Sequence, residues 1–597
     1  MTMIYTGESK VPWRFVEEDG RKEGGVSPCE PQDCPDNGPS SRSGRVCERS
    51  SRAADAAGDD DDAPRSRSPH RQEAWKTLED PDIANPHPPR FIPKRRPGPQ
   101  PPLTTSTQTP HDIFAHFFDA EVLEVLCVST NKNAKKNLKK GKKFIWTDIT
   151  PQELTRYLGM LLFMSVCNLP KMSDFWRQKN IFHVPFPALA MSRDRFRFIS
   201  SNLYMSDPKE DVVNDWKKGT KEYDPLQKVR ALLEIIRNRS KNIYHPKQNI
   251  SVDERMVASK PRLSMKQYMK AKPLKWGHKF VVLTDVNGYT VDFRLDTRKN
   301  HGASVEGLSF DVVTQLVNKN YLGSGYVVYC DNLYTSPLLF RHLSQQGFGA
   351  CGTYSPGKAG DPTTRVNALD KKSKRGSIRW IRDGDLLFVK WMDTREVSIC
   401  TTVHPVYTGE TVLRWQETAD GPLQRVPVPT PTAVSEYNKY IGGVDTSDQM
   451  LGTNSVHRTT KRWPMRVFQH LLDIAVTNSF IVHKELSVSH GKRPMTRQAF
   501  QEQLCASLLG VPLTGPPKPP TLGHFPVPTN KREQIGKRQR ASMGRKQCTV
   551  CHKSTPWMCE ECNVGLCLQL DRNCFRVYHG HKKHLDMDKH TDLQHGR

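Results

Sequence analysis

The stretch from residue 249 to residue 354 alternates β-rich and helical runs in an order that few folds accept. "NISVDERMVA", "HKFVVLTDVN" and "YTVDFRLDTR" are three successive strand candidates, with Asn287–Gly288 set for a hairpin turn between the second and third. "SFDVVTQLVNKNYL" then carries a helical spacing, "GYVVYCDNLYTS" reads as a fourth strand, "PLLFRHLSQQG" as a helix and "FGACGTY" as a fifth strand. A chain of this order closes into a mixed sheet with helices packed on it.

Three strands, a helix, a strand, a helix and a strand is the order of a ribonuclease H-like core, in which the first and fourth strands lie side by side. The first strand carries Asp253, followed at once by Glu254, and the fourth ends on Asp331. Side-by-side strands predict neighbouring carboxylates. Further on, "IGGVDTSDQM" at 441–450 supplies Asp445 and Asp448 on a later helix that can close against the sheet. Read locally, Asp445 is an N-cap and Asp448 a first-turn acid favoured by the helix dipole. Read with the sheet, the four carboxylates converge, and such a set repels itself unless cations neutralise it. Hard divalent ions such as Mg²⁺, for which Mn²⁺ can substitute, prefer oxygen ligands. Two of them about 4 Å apart suit an in-line displacement at a phosphate.

The flanks divide the rest of the chain. Residues 1–104 are rich in Ser, Pro, Gly, Arg and Asp without a sustained apolar period, and are expected to be a disordered tail with incidental Cys29, Cys34 and Cys47. Residues 105–247 read as helical and basic. One amphipathic helix is expected in "HDIFAHFFDAEVLEVLCVSTN", a solvated lysine loop in "KNAKKNLKKGKK", and a helix opening on Thr150 and Pro151 with Glu153 three residues on. The catalytic core is expected over 248–357 and 431–454, interrupted by a small β-rich insertion at 358–430. "RWPMRVFQHLLDIAVTNSFIVHKEL" gives a buried helix within a second helical part, 455–509, and 510–546 reads as a basic, Pro-bearing linker.

A formal net charge of +26 on 597 residues points to a polyanionic partner, with nucleic acid ahead of a membrane surface. No run approaches the roughly 18–20 apolar residues of a membrane helix, and "MTMIYTGESKVPWRF", with no apolar run after a basic segment, is not expected to be a secretory signal.

Six of the 15 cysteines crowd between Cys548 and Cys574. Cys548-x2-Cys551 and Cys559-x2-Cys562 precede Cys567, Cys574 and His579, over residues 547–584. Paired thiolates followed by further Cys and His ligands are a zinc pattern, and a cross-brace of alternating pairs would bind two Zn²⁺ ions. Seven ligands leave an eighth to be supplied by His552, His581 or His584.

"NISVDERMV", "YMKAKPLKWGHKFVVL", "YCDNLYTSPLL", "CGTY", "YNKYIGGVDTSDQM" and "RWPMRVFQHLLDIAVTNSF" together resemble the piggyBac family of DNA transposases, in matching order from about residue 111 to the cysteine cluster. The resemblance implies a catalytic set of Asp253, Asp331 and Asp445, with Asp448 as an additional acid at the Mg²⁺ site. Trp463, a core or interface aromatic on its residue type alone, matches a tryptophan important for activity. The DNA-binding set expected on this reading is Trp463, Lys461, Arg462, Lys275, Lys537 and Arg538. Also implied are double-stranded DNA as partner (terminal inverted repeats, hairpin ends and TTAA targets), a homodimer built on the flanking helical segments, and end recognition by the cysteine module. The basic stretch "TNKREQIGKRQR" suggests nuclear localisation. A domesticated DNA-binding descendant without recombination is the second reading. A zinc-module chromatin or ubiquitin adaptor is the third, and it leaves the acidic set unexplained.

Overall fold

A computed structural model describes residues 74–83, 89–103, 108–177, 183–259, 265–270, 272, 274–297, 306–357, 360–418, 421–458, 460–511, 525–529, 545–560 and 562–579. The chain forms two units, Met1–Gln501 and Glu502–Arg597.

The first unit is organised by a nine-stranded sheet. Its strands are β1 (Asn249–Ala258), β2 (Lys266–Tyr268), β3 (Trp276–Asp285), β4 (Thr290–Leu295), β5 (Val327–Cys330), β6 (Gly349–Thr353), β7 (Ile378–Asp383), β8 (Leu386–Met392) and β9 (Glu396–Thr401). They lie in the order β7-β8-β9-β6-β5-β1-β3-β2, with β4 also paired to β3. β1 and β3 run antiparallel, whereas β1 and β5, and β5 and β6, run parallel. β1 and β5, the first and fourth strands expected from the sequence, are neighbours, as their order predicts. The central strand β5 reads "VVYC", an apolar run suited to a strand covered on both faces. Gly288, at φ +87°, makes the expected turn between β3 and β4.

The helices follow local signals. Thr150 caps Pro151–Val166 by accepting from the Glu153 N–H. The long helix Trp463–Ser489 is buried along most of its length. The expected single amphipathic helix is instead two, Pro110–Ala115 and Ala120–Lys139, each opened by its own cap, Thr109 and Asp119. The second of these runs through the lysine-rich stretch, which is therefore mostly helix and not loop. Asn133 and Ala134 are buried within it, so one face of that stretch packs while its lysines point outward.

Three boundaries are corrected. First, residues 74–83 and 89–103 of the expected tail are ordered. Trp75 is buried with its indole donating to the Thr364 carbonyl, Asp82 pairs with Arg382 at 2.8 Å, and Ile92–Pro93 and Gly98–Pro99 each add a short antiparallel pairing. Second, the insertion is not a separate small domain, because β9 pairs with β6 and carries β8 and β7 into the core sheet; Thr411–Thr418 and Gly421–Pro429 form a separate hairpin. Trp380, Trp391 and Tyr329 share a core with Val434 and Tyr437 of the helix Thr432–Tyr440. Third, Pro526–Pro528, from the expected linker, pairs with Trp557–Cys559, so the cysteine-rich fold begins earlier than residue 547.

Candidate active site and metal centres

Parallel pairing aligns Val252 with Cys330, so the next residues on the two strand paths, Asp253 within β1 and Asp331 just past the end of β5, stand side by side. Asp253, Glu254 and Asp331 are buried, and one carboxylate oxygen from each lies within 4.8 Å of the others. Asp253 accepts the Glu254 N–H at 2.7 Å, and the Lys272 ammonium sits 2.6 Å from its other oxygen and 3.9 Å from Glu254. Burial raises the Asp253 carboxyl, but hydrogen bonds from Glu254 and the Lys272 charge outweigh it and hold the group below the usual carboxylate range. Burial, reinforced by Asp253, pushes Glu254 up to about 8. Three buried carboxyls crowd together, with the Lys272 ammonium set against two of them, Asp253 and Glu254. An all-oxygen, electron-rich donor set of this kind fits a hard divalent cation.

Gly443 and Val444 begin the helix Gly443–Gly452, so Asp445 lies inside its first turn and Asp448 one turn on. The expected capping role for Asp445 fails: the N-cap is Gly442, with no side-chain cap bond. Gly443 instead lets the helix come down onto the sheet. A Cβ on Gly443 would lie 2.5 Å from Ser251 Oγ and 2.7 Å from Thr284 Oγ1, on β1 and β3. Neither Asp445 nor Asp448 joins the 4.8 Å trio. Asp448 is tied to Arg255 of β1, its Oδ1 accepting from Nε at 2.5 Å. Asp445 lies near enough for its charge to act on Lys272.

The other expected residues separate. Trp463 opens the long helix half-buried, its ring 6.0 Å from His278 of β3. Arg462 is not free for a phosphate. Its guanidinium donates to the carbonyls of Ser200, Ser201 and Leu203 at 2.6–2.9 Å, closing the C-terminal end of the helix Arg193–Asn202. Lys461 and Lys275 are exposed, while Lys537 and Arg538 lie outside the described residues. Glu254 and Lys272 are the residues a reading of motifs underweights. Glu254 is signalled only by adjacency to Asp253, and Lys272 only as one lysine among several in "MKAKPLK".

The second unit holds two further clusters. Cys548, Cys551, Cys567 and Cys574 converge, and Cys559, Cys562 and His579 converge separately. First pair with third, second with fourth, is the expected cross-brace. Cys551 and Cys567 sulfurs are 3.6 Å apart, and Cys562 Sγ is 3.7 Å from His579 Nε2. These separations match the edges of a tetrahedron with metal–sulfur bonds of about 2.3 Å. His579 places Nδ1 2.8 Å from the Phe575 carbonyl, which leaves Nε2 for a metal. Although burial raises the Cys548 thiol, N–H groups of Cys551, Val550 and Cys567 bring it down to about 6. His552 stays outside both clusters, whereas His581 and His584 lie outside the described residues.

A family profile described as "Transposase IS4" matches residues 109–480. The human PiggyBac transposable element-derived protein 3 is 25% identical over 482 residues, which cover 77% of this chain and 75% of the relative. Human PiggyBac transposable element-derived protein 5 is 23% identical, over 75% of this chain and 84% of the relative. The fold is similar to that of piggyBac transposase, solved by cryo-electron microscopy as a synaptic complex with hairpin DNA. The TM-score is 0.59 at 22% identity, over 79% of this chain and 99% of that one. Among the described residues no helix is long and apolar enough to cross a membrane. With the profile spanning most of the chain and Asp253 and Asp331 side by side on neighbouring strands, the chain belongs to the piggyBac-type transposase family.

Proposed function

We propose that this protein is a cut-and-paste DNA transposase that cleaves and joins DNA at the Asp253–Asp331 centre. The observation that carries the reading is the buried pair of aspartates on neighbouring parallel strands, with Glu254 inside the same 4.8 Å cluster. Asp253 and Asp331 would hold divalent cations, with Asp445 approaching from the helix above. Bound Mg²⁺ or Mn²⁺ supplies activation of an attacking oxygen and neutralisation of the departing one. The sheet keeps the two aspartates fixed, Arg255 holds Asp448 in place, and Lys272 offers a positive charge to a substrate phosphate or to the acids themselves.

Terminal repeats, hairpin ends and TTAA targets are the proposed DNA substrates, and the cysteine module, loaded with two Zn²⁺ ions, is the proposed reader of the ends. Homodimer formation and a nuclear location belong to the same reading. A plasmid excision assay with candidate ends tests it: wild type should release the element in Mg²⁺, and the Asp331→Ala variant should bind the ends without nicking them. Binding without nicking by the wild type would overturn the enzyme reading. It would favour a DNA-binding descendant, the reading suggested by human relatives named as element-derived.

A further inference from the structure

β2 is the last strand of the sheet on its side, and its final residue Tyr268 pairs directly with Trp276 at the start of β3. Both rings are exposed, at 45% and 53%, with centroids 4.9 Å apart and planes inclined by 51°. Large aromatics are expensive to leave in water, and two together on a sheet edge are an unusual place to leave them. Lys266 lies over the Trp276 ring at 5.3 Å, and Lys270 and Lys275 are exposed on the same hairpin. Among the described residues none of these three lysines has an acidic partner. The hairpin loop also carries Lys272 back to Asp253. In register, Trp276 lies six residues along β3 from Val282, the partner of Asp253, or about 20 Å at ordinary strand rise.

From this juxtaposition we infer that Tyr268 and Trp276 form a stacking platform for unpaired bases of a DNA strand leaving the catalytic centre. The aromatic faces supply a sequence-tolerant surface for bases, and the lysines beside them attract the phosphates between the bases. Double-stranded DNA keeps its bases stacked inside the helix and gains only the lysine attraction, so the platform selects unpaired strand. The inference rests on the reading of this protein as a DNA-processing enzyme.

The test uses the full chain with its zinc retained, in a buffer without Mg²⁺ or Mn²⁺, and two probes of equal length, a thymidine oligonucleotide and a mixed-sequence duplex. The Tyr268→Ala/Trp276→Ala variant should lose single-strand affinity by about tenfold or more. Its duplex affinity should stay within about twofold, and Trp276→Phe should keep most of the single-strand binding. The cross-strand ring pair also stiffens the hairpin, so unfolding midpoints are compared; equal midpoints with lost single-strand affinity assign the effect to stacking. Unchanged single-strand affinity in the double variant overturns the platform, as does an equal loss on duplex. Wild type that binds neither probe refutes the DNA-processing reading itself, a separate outcome from loss of the platform alone.

Discussion

The acidic centre and the cysteine module are both candidate metal sites, and they are built on opposite logic. Asp253, Glu254 and Asp331 stand on a nine-stranded sheet with an extensive apolar core, and they carry their own counter-ion in Lys272. The buried apolar residues of the cysteine module are Cys548, Cys559, Leu566, Cys567 and Cys574, with Val564, Phe575 and Tyr578 packed around them. Four of the five buried residues are thus ligands of the candidate metal sites. The first site has a packed sheet to stand on without a cation, whereas the second has little to fold around without one. Oxygen donors on a rigid sheet suit an ion that must exchange with substrate; thiolates crossing between short segments suit an ion that stays.

The sharpest way to break that contrast is to remove the metal from each site. Structural zinc contributes roughly 10–16 kcal/mol to folding in small modules. A strong chelator should therefore expose the six module thiols to a thiol reagent, while the long buried helix Trp463–Ser489 keeps its amide protection. Metal analysis of the untreated chain should give about two zinc ions, as two tetrahedral clusters require. A module that stays protected with no zinc bound would end the comparison. In the acidic centre the large effect falls on chemistry and not on fold: Asp331→Ala should lower strand cleavage by roughly a thousandfold or more, with the unfolding midpoint nearly unchanged.

Lys272 sharpens the same point. Its ammonium is buried against Asp253 and Glu254, so Lys272→Met leaves buried acids without their internal cation, a loss of about 3 kcal/mol in metal-free buffer. Adding Mg²⁺ or Ca²⁺ should recover more stability in the variant than in wild type, because the divalent ion then takes over a role the lysine had filled. Equal metal responses in the two proteins would show that Lys272 does not stand in for a cation.

The acidic centre was legible in sequence because strand order decides which strands touch. Asp253 in "DERMV" and Asp331 in "YCDNLY" lie 78 residues apart, yet the parallel pairing of their two strands follows from the alternation of elements. What stayed hidden depended on partners that local pattern does not see. Trp75 sits in a polar, Pro-rich stretch with no period, and its burial comes from a carbonyl at Thr364 and a bridge from Lys76 to Trp380. Edge pairing likewise joined β7, β8 and β9 to the core sheet, although their own sequence fits a free-standing insertion equally well. Arg462 looked like a phosphate contact beside Lys461, but three helix-end carbonyls claim it. Charge near a motif signals a polar partner; it does not say whether that partner is DNA or backbone.

The smallest expected effect concerns how the helix carrying Asp445 reaches the sheet. Gly443 has an ordinary backbone angle, so its value lies in the missing Cβ, which would meet Ser251 Oγ at 2.5 Å, Thr284 Oγ1 at 2.7 Å and the Asp285 carbonyl at 2.8 Å. The first two atoms belong to side chains hydrogen-bonded to each other at 2.8 Å, and the third is backbone, so they yield little. Gly443→Ala should cost about 1–3 kcal/mol of stability by overpacking. It should also lift Asp445 away from the Asp253–Asp331 pair, so that cleavage falls further than stability does. The cysteine module should keep its zinc. Equal losses in stability and cleavage would mean that the helix moves as one piece with the sheet and that the glycine serves packing alone. A large fall in cleavage beside a small fall in stability would place Asp445 in the catalytic set by its dependence on one absent methyl group.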